Sequence, residues 1–270
     1  MSRILILSCL FAAFAAAQER EPGKGVNFYS IEKETALGRQ LAAEFQRKSK
    51  PLESPAALAY VNGIGERLAA QVGGPPFTYT FALVADNSSG LDGVAALPGG
   101  FVFVPAPLIL AVKDEDELAG LLLHAMAHVV SRDFTRQASR AQLANVSMEA
   151  AAHASGGKSM AVPLDFLQMR RQAELDADRL AVTKMPAAGY DPEALARYLD
   201  REQASYDRQT GSVFSPLPPR AQRLEAIRAV IAKLPAQTYP PHEGLDKVQE
   251  EVRRLTASAP PVEQPPTLGK

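Results

Sequence analysis

His124 and His128 stand four residues apart inside an apolar stretch that runs from Leu118 through Val130. The stretch has the continuity of a helix buried on most sides, and the acidic turn Asp114-Glu115-Asp116-Glu117 before it suits the positive end of a helix dipole. On a helix, positions i and i+4 lie one above the other, so the two imidazoles share a face and can reach one tetrahedral metal ion. A fold that holds this helix must bring a third ligand from another element. Otherwise it must give two core imidazoles ordinary backbone partners.

The chain opens with Met1-Ser2-Arg3, an apolar run through Phe14, and Ala15-Ala16-Ala17 before Gln18. A short basic start, an apolar segment and small residues form the pattern of a secretory signal cleaved after Ala17. The run is too short to span a bilayer. Cys9 lies too early in it to be a lipidation site. Since Cys9 is the single cysteine, the mature chain forms no disulfide, and packing, with metal, must stabilise it. The formal net charge of −1 becomes −2 when Arg3 leaves with the leader, and no basic cluster is present, so nucleic acid is not an expected partner.

Hydrophobic periodicity divides the remainder. Ser30 precedes a helix over 32–48 with Ala36, Leu37, Leu41, Ala42 and Phe45 at helical spacing, and Ser54-Pro55 opens a second over 56–72 that ends at Gly73-Gly74. Residues 78–85 and 100–105 are rich in β-formers and are expected to be strands of a small sheet, joined through the turn region 87–90. Further helices are expected over 118–130, 134–154, 164–184, 192–205, 220–233 and 245–255, with breaks at Ser155-Gly156-Gly157 and before Pro186 and Gly189. The expected organisation is a signal peptide at 1–17, a spacer at 18–29, one domain at 30–235, a helical extension at 236–256 and a disordered Pro-rich tail at 257–270.

The third ligand is sought on the helix after the Gly-rich break. There Glu174 is the candidate, and Asp178, one turn on, is placed to accept the second N–H of a ligating imidazole and fix its tautomer. Asp176 points elsewhere on the helical wheel. Standing alone, Glu174 and Asp178 would more simply form a solvated face pairing with Arg170, Arg171 or Arg179; their order after the His pair favours ligation. The His pair itself is the zinc-binding H-E-x-x-H pattern with Ala125 where the glutamate belongs. In metallopeptidases that glutamate takes a proton from the attacking water and passes it to the leaving amine, and alanine can do neither.

These residues together resemble peptidase family M48. Its pattern of H-E-x-x-H and a downstream E-x-x-x-D, with alanine before the aspartate, is matched by Glu174-Leu175-Asp176-Ala177-Asp178. The resemblance extends to Ala96-Leu97-Pro98-Gly99-Gly100 and the Phe-Val-Phe-Val that follows, to Glu117-Leu118-Ala119-Gly120, and to Ala188-Gly189-Tyr190-Asp191-Pro192, in order over roughly residues 30 to 230. It implies an α+β, mainly helical zincin-like domain with a small sheet. It also implies one zinc ion on His124, His128 and Glu174, Asp178 behind the ligands, and a polypeptide substrate or client. Residues 96–100 would belong to the substrate strand. From the residues alone, Ala96 to Val104 reads equally as an ordinary core strand or as an edge that takes up an extended peptide.

The chain departs from the family pattern at three places. The general-base position is Ala125; Gly93-Val94-Ala95 stands where members carry Asn-Ala-Phe; and Leu217, in Ser215-Pro216-Leu217-Pro218, replaces a histidine expected near the metal. Glu117 is no substitute base, because two helical turns place it about 10.5 Å along the axis from His124; its expected role is at the helix N-terminus. His153 and His242 are expected to be surface or loop histidines. The expected function is that of an exported, periplasmic or extracellular family member with weak or no proteolytic activity. The alternative is a pseudopeptidase that binds polypeptides as a chaperone or adaptor in the cell envelope.

Overall fold

The computed structural model describes residues 25–85, 93–143, 164–202 and 217–257. The expected leader, His153, the break at Ser155-Gly156-Gly157 and the tail beyond Ala257 lie outside those residues. Both serines expected to open helices do so. Ser30 accepts the Lys33 N–H at 3.2 Å to cap α1 (Ile31–Lys48), and Ser54 accepts the Ala57 N–H at 3.1 Å to cap α2 (Pro55–Val72).

The sheet has three strands, β1 (Thr80–Val84), β2 (Ala95–Leu97) and β3 (Phe101–Pro105), in the order β1-β3-β2. The expectation of one strand over Ala96 to Val104 is corrected. Pro98, Gly99 and Gly100 form a turn, with Gly99 at φ 81° and Gly100 at φ 96°, a conformation that disfavours residues with a β-carbon. Of residues 96–100, only Ala96 and Leu97 belong to a strand. β1 and β3 run parallel, while β2 pairs antiparallel with β3 and forms an edge. β3 is therefore the central strand, and Val102, Phe103 and Val104 on its two faces are all buried. α1 rests directly on the β2–β3 turn, where a β-carbon added at Gly38 would lie 1.7 Å from the Pro98 carbonyl oxygen.

After β3 come a short helix not expected from sequence, α3 (Ala106–Ala111), and then α4 (Glu115–Val130), capped by the Asp114 carboxylate accepting the Glu117 N–H at 2.8 Å. The chain is helical again over 133–143 (α5) and in α6 (Leu164–Lys184). A 3-10 turn (Pro186–Ala188) ends at left-handed Gly189 and leads into α7 (Glu193–Arg201), which stops four residues short of the expected end. α8 (Arg220–Ile231) and α9 (Leu245–Ala257) complete the described chain.

α4 is the axis of the domain and packs against α2, α6, α7 and β2. Leu118, Leu122, Leu123 and Met126 are fully buried there with Ile64 and Leu68 of α2, Met185 and Leu195. Each such side chain contributes roughly 1.5–3 kcal/mol of burial free energy. Leu245, Val248 and Val252 of α9 enter the same core. The result is the expected α+β, mainly helical fold with a small sheet. Among the described residues, no helix is long and apolar enough to cross a membrane.

Candidate metal centre

The solvent-ward side of α4 near its C-terminal end carries His124 and His128, each partly buried, and α6 packs across that side. Their Nε2 atoms lie 3.2 Å apart. Glu174 on α6 completes a triangle, with Oε2 3.4 Å from His124 Nε2 and Oε1 3.7 Å from His128 Nε2. A tetrahedral zinc with bonds of 2.0–2.2 Å to nitrogen and oxygen places its ligand atoms about 3.3–3.5 Å apart. The triangle therefore matches the face of one zinc tetrahedron, and among the described residues it is the one His/Cys/Asp/Glu group so disposed. Two imidazoles with one carboxylate suit zinc or a neighbouring transition metal better than magnesium or calcium, which prefer oxygen ligands.

The outer nitrogens of both rings face carboxylates. Asp178, wholly buried, has Oδ1 2.9 Å from His124 Nδ1; the distance is that of a hydrogen bond, but the alignment is not. His128 Nδ1 lies 2.8 Å from Asp133 Oδ2. Asp178 in turn accepts two bonds from Arg223 of α8, Nε to Oδ2 at 2.7 Å and Nη2 to Oδ1 at 2.6 Å. The partners suggested by local spacing are not used, since Arg179 and Gln172 instead bond Asp176 at 2.8 Å each on the helix surface.

Among the described residues, the carboxylates of Glu174, Asp178 and Asp133 surround the two imidazoles, with Arg223 ion-paired to Asp178 and the Arg136 guanidinium acting on Asp133. The acid–base equilibria carry the same imprint. Burial opposes charge on Glu174, yet its contacts with His124 and His128 hold its carboxyl well below the usual range. Burial likewise opposes ionisation of Asp178, and Arg223 reverses the balance to hold it below its ordinary value. Burial would lower His128, but Asp133 and Glu174 raise it to about 10.

The position after His124 is Ala125, 3 % exposed, and its methyl group offers no proton acceptor. Among the described residues, each carboxylate of the site is engaged: Glu174 by the histidines, Asp133 by His128, Asp178 by Arg223. Glu117 is no nearer to the task. It is 1 % exposed, receives two bonds of 2.6 Å from Arg201 and accepts the Lys113 N–H at 2.8 Å. His242 lies, partly buried, in the loop before α9, its ring tilted 39° against Tyr190 at 4.7 Å between centroids and its Nδ1 3.5 Å from Glu115.

The ligand triangle, the aspartate behind His124 and the edge strand β2 beside α4 occur in one order along a chain whose residues 55–231 match the model of peptidase family M48. The chain belongs to peptidase family M48. Family members are zinc metallopeptidases. The chain is also similar to the beta-barrel assembly-enhancing protease of Escherichia coli (strain K12), with 23 % identity over 236 residues, covering 80 % of this chain and 48 % of that protein. A putative beta-barrel assembly-enhancing protease of Vibrio cholerae is 26 % identical over 192 residues (66 % of this chain, 39 % of that one). The mitochondrial metalloendopeptidase OMA1 of Schizosaccharomyces pombe is 28 % identical over 172 residues (62 % and 50 %). The chain thus spans about half the length or less of these relatives.

Two residues of the centre escape a reading of the sequence. Arg223 stands 45 positions from Asp178 with no local pattern to join them. Asp133 lies five positions after His128, a spacing that no single helix brings onto one face.

Proposed function

We propose that this M48-family protein is exported, holds one zinc ion on His124, His128 and Glu174, and binds extended polypeptide with weak or no proteolytic activity. The observation that carries the reading is Ala125 at the general-base position beside the triangle of His124, His128 and Glu174. Zinc, when bound, supplies Lewis acidity toward a peptide carbonyl. Among the described residues, the protein's own groups orient the ligands and offer β2 as an edge to a client strand, but none is free to move a proton between water and leaving amine. Loss of a general acid–base typically costs about 100- to 10,000-fold in rate.

The edge strand supports the polypeptide-binding half of the reading. Among the described residues β2 has one hydrogen-bonded neighbour, β3, and Gly93, Val94 and Ala95 give its approach no polar side chain. Backbone pairing with an extended client is the mode such an edge favours. The bacterial relatives, named for enhancing β-barrel assembly, point to envelope polypeptides as the client class, consistent with a signal peptide over 1–17. The adaptor or chaperone role follows if binding occurs without cleavage.

The deciding experiment compares chelator-sensitive casein cleavage by the mature chain and by Ala125→Glu in the same zinc-supplemented buffer, with zinc content measured for both. Silence in the wild type and cleavage in the variant are expected. Brisk chelator-sensitive cleavage by the wild type would overturn the reading. Zinc-free protein after saturation would overturn its metal-holding half.

A further inference from the structure

We infer that Asp133 is a positioning residue for the metal centre, fixing the tautomer and tilt of His128 so that Nε2 is the nitrogen presented to the ion. The inference rests on the metal-holding reading above. His128 Nδ1 lies 2.8 Å from Asp133 Oδ2. In a neutral imidazole, an Nδ1–H donated to a carboxylate leaves the lone pair on Nε2, and Nε2 is the atom that faces His124 and Glu174.

The contact exists only because α4 stops. On an uninterrupted helix, residues five apart are turned about 140° from one another, and a carboxylate at 133 would point away from the ring. The break comes at Ser131 and Arg132, and Arg132 adopts φ 56°, the one positive φ outside glycine among the described residues. The left-handed conformation crowds the β-carbon against the following carbonyl and is disfavoured outside glycine, so something must hold it.

The amino-terminal segment does so. Arg132 Nε donates to Glu34 Oε2 at 2.5 Å and Nη2 to the Tyr29 carbonyl at 2.6 Å. Thr135 Oγ1 donates to the same Glu34 oxygen at 3.0 Å and accepts from Asn27 Nδ2 at 2.9 Å. Glu34 is 1 % exposed, so the pair is fixed in a dry setting. The strained residue and its clamp stand immediately before Asp133, where strain that sets a functional contact is expected.

Zinc affinity, read by competition with a chromophoric chelator, and the absorption spectrum of the cobalt-substituted protein test the inference on the full mature chain. Asp133→Ala is expected to weaken zinc binding 10- to 100-fold and to change the cobalt spectrum. Asp133→Asn, which keeps an acceptor oxygen but loses the charge, is expected to fall between the two. Equal zinc affinity in wild type and Asp133→Ala would overturn this inference alone. So would an Asp133→Ala protein whose zinc-free unfolding temperature falls while its cobalt spectrum stays that of wild type, because the aspartate would then serve the fold and not the ligand. A wild-type chain that takes up no zinc would overturn the metal-holding reading with it.

Discussion

The two ends of α4 both bury ionisable side chains, and they handle the charge in opposite ways. At the N-terminal end, Glu115, Asp116 and Glu117 are all buried, and each has a partner within the protein. Glu115 meets Arg67 at 2.5 Å and accepts from the Tyr190 hydroxyl at 2.9 Å; Asp116 accepts the Asp191 N–H at 2.8 Å; Glu117 is gripped by Arg201. The helix dipole adds positive potential. At the other end, Arg223 pairs with Asp178, while Glu174 and Asp133 face the two imidazoles, whose Nε2 atoms converge with the Glu174 carboxylate. A charge cluster that closes on itself holds a fold together, whereas one whose carboxylates turn toward two converging imidazoles is a place for a cation.

Zinc should therefore act on one end only. A ligand present at about a thousand times its dissociation constant stabilises the folded state by about 4 kcal/mol. Saturating zinc is expected to raise the unfolding free energy of the wild type by that order, and His128→Ala should lose the gain. Thermal unfolding with zinc and with chelator measures it. An undiminished gain in His128→Ala would place the ion elsewhere and break the comparison.

Arg201→Ala probes the closed end. Glu117, 2 % exposed at its side chain, would keep a buried charge without its guanidinium. Removing one partner of a buried pair costs about 3–5 kcal/mol, and the partial exposure of Arg201 places this case toward the lower bound. The loss should be the same with zinc or chelator, since no ligand is touched. Arg223→Met is the contrasting change at the open end. It strips the buried Asp178 of its counter-charge, and the loss, about 3 kcal/mol in chelator, should shrink when zinc is supplied, because the ion restores positive charge behind His124. Equal losses in the two buffers would mean that Asp178 does not sense the metal.

The difference between the ends also marks what the sequence could disclose. His124, His128, Glu174 and Asp178 are spaced at i, i+4 within their helices, and that periodicity is local, so the face each pair shares was legible before any fold was known. The same regularity gave the caps at Ser30 and Ser54. Asp133 was hidden because its contact needs a helix to end and a non-glycine residue to turn left-handed, and that conformation is stabilised by Glu34 almost a hundred positions earlier. Arg223 was hidden by distance along the chain. The acidic turn 114–117 was legible as a helix start, but the burial of three of its carboxylates depends on Arg67, Tyr190, the Asp191 N–H and Arg201 from other parts of the fold. Strand pairing failed for a related reason: alternation identifies β1 and β3 as strands, but nothing in it says that they run parallel with a third strand at the edge.

The smallest expected effect concerns Asp116, the one member of the closed cluster that gains least from its surroundings. Burial pushes its carboxyl above the ordinary value, and the Asp191 N–H together with His242 only partly opposes the shift. The folded state therefore holds the proton more firmly than the unfolded chain, and it binds more protons between the unfolded and folded pKa values. Stability contributed by the protonated acid is complete below the unfolded value and is lost as pH rises through the folded one, so at neutral pH the ionised group is a small liability. Asp116→Asn keeps an oxygen for the Asp191 N–H and removes the charge. It is expected to stabilise the protein at pH 7 by up to about 1 kcal/mol, with the difference from wild type narrowing as the pH is lowered to about 4, near the ordinary aspartate value. Unfolding temperatures at the two pH values read this directly. A destabilised variant at pH 7 would show that the Asp116 charge is held by the helix N-terminus and His242 as firmly as Arg201 holds Glu117, and would make the closed end uniform.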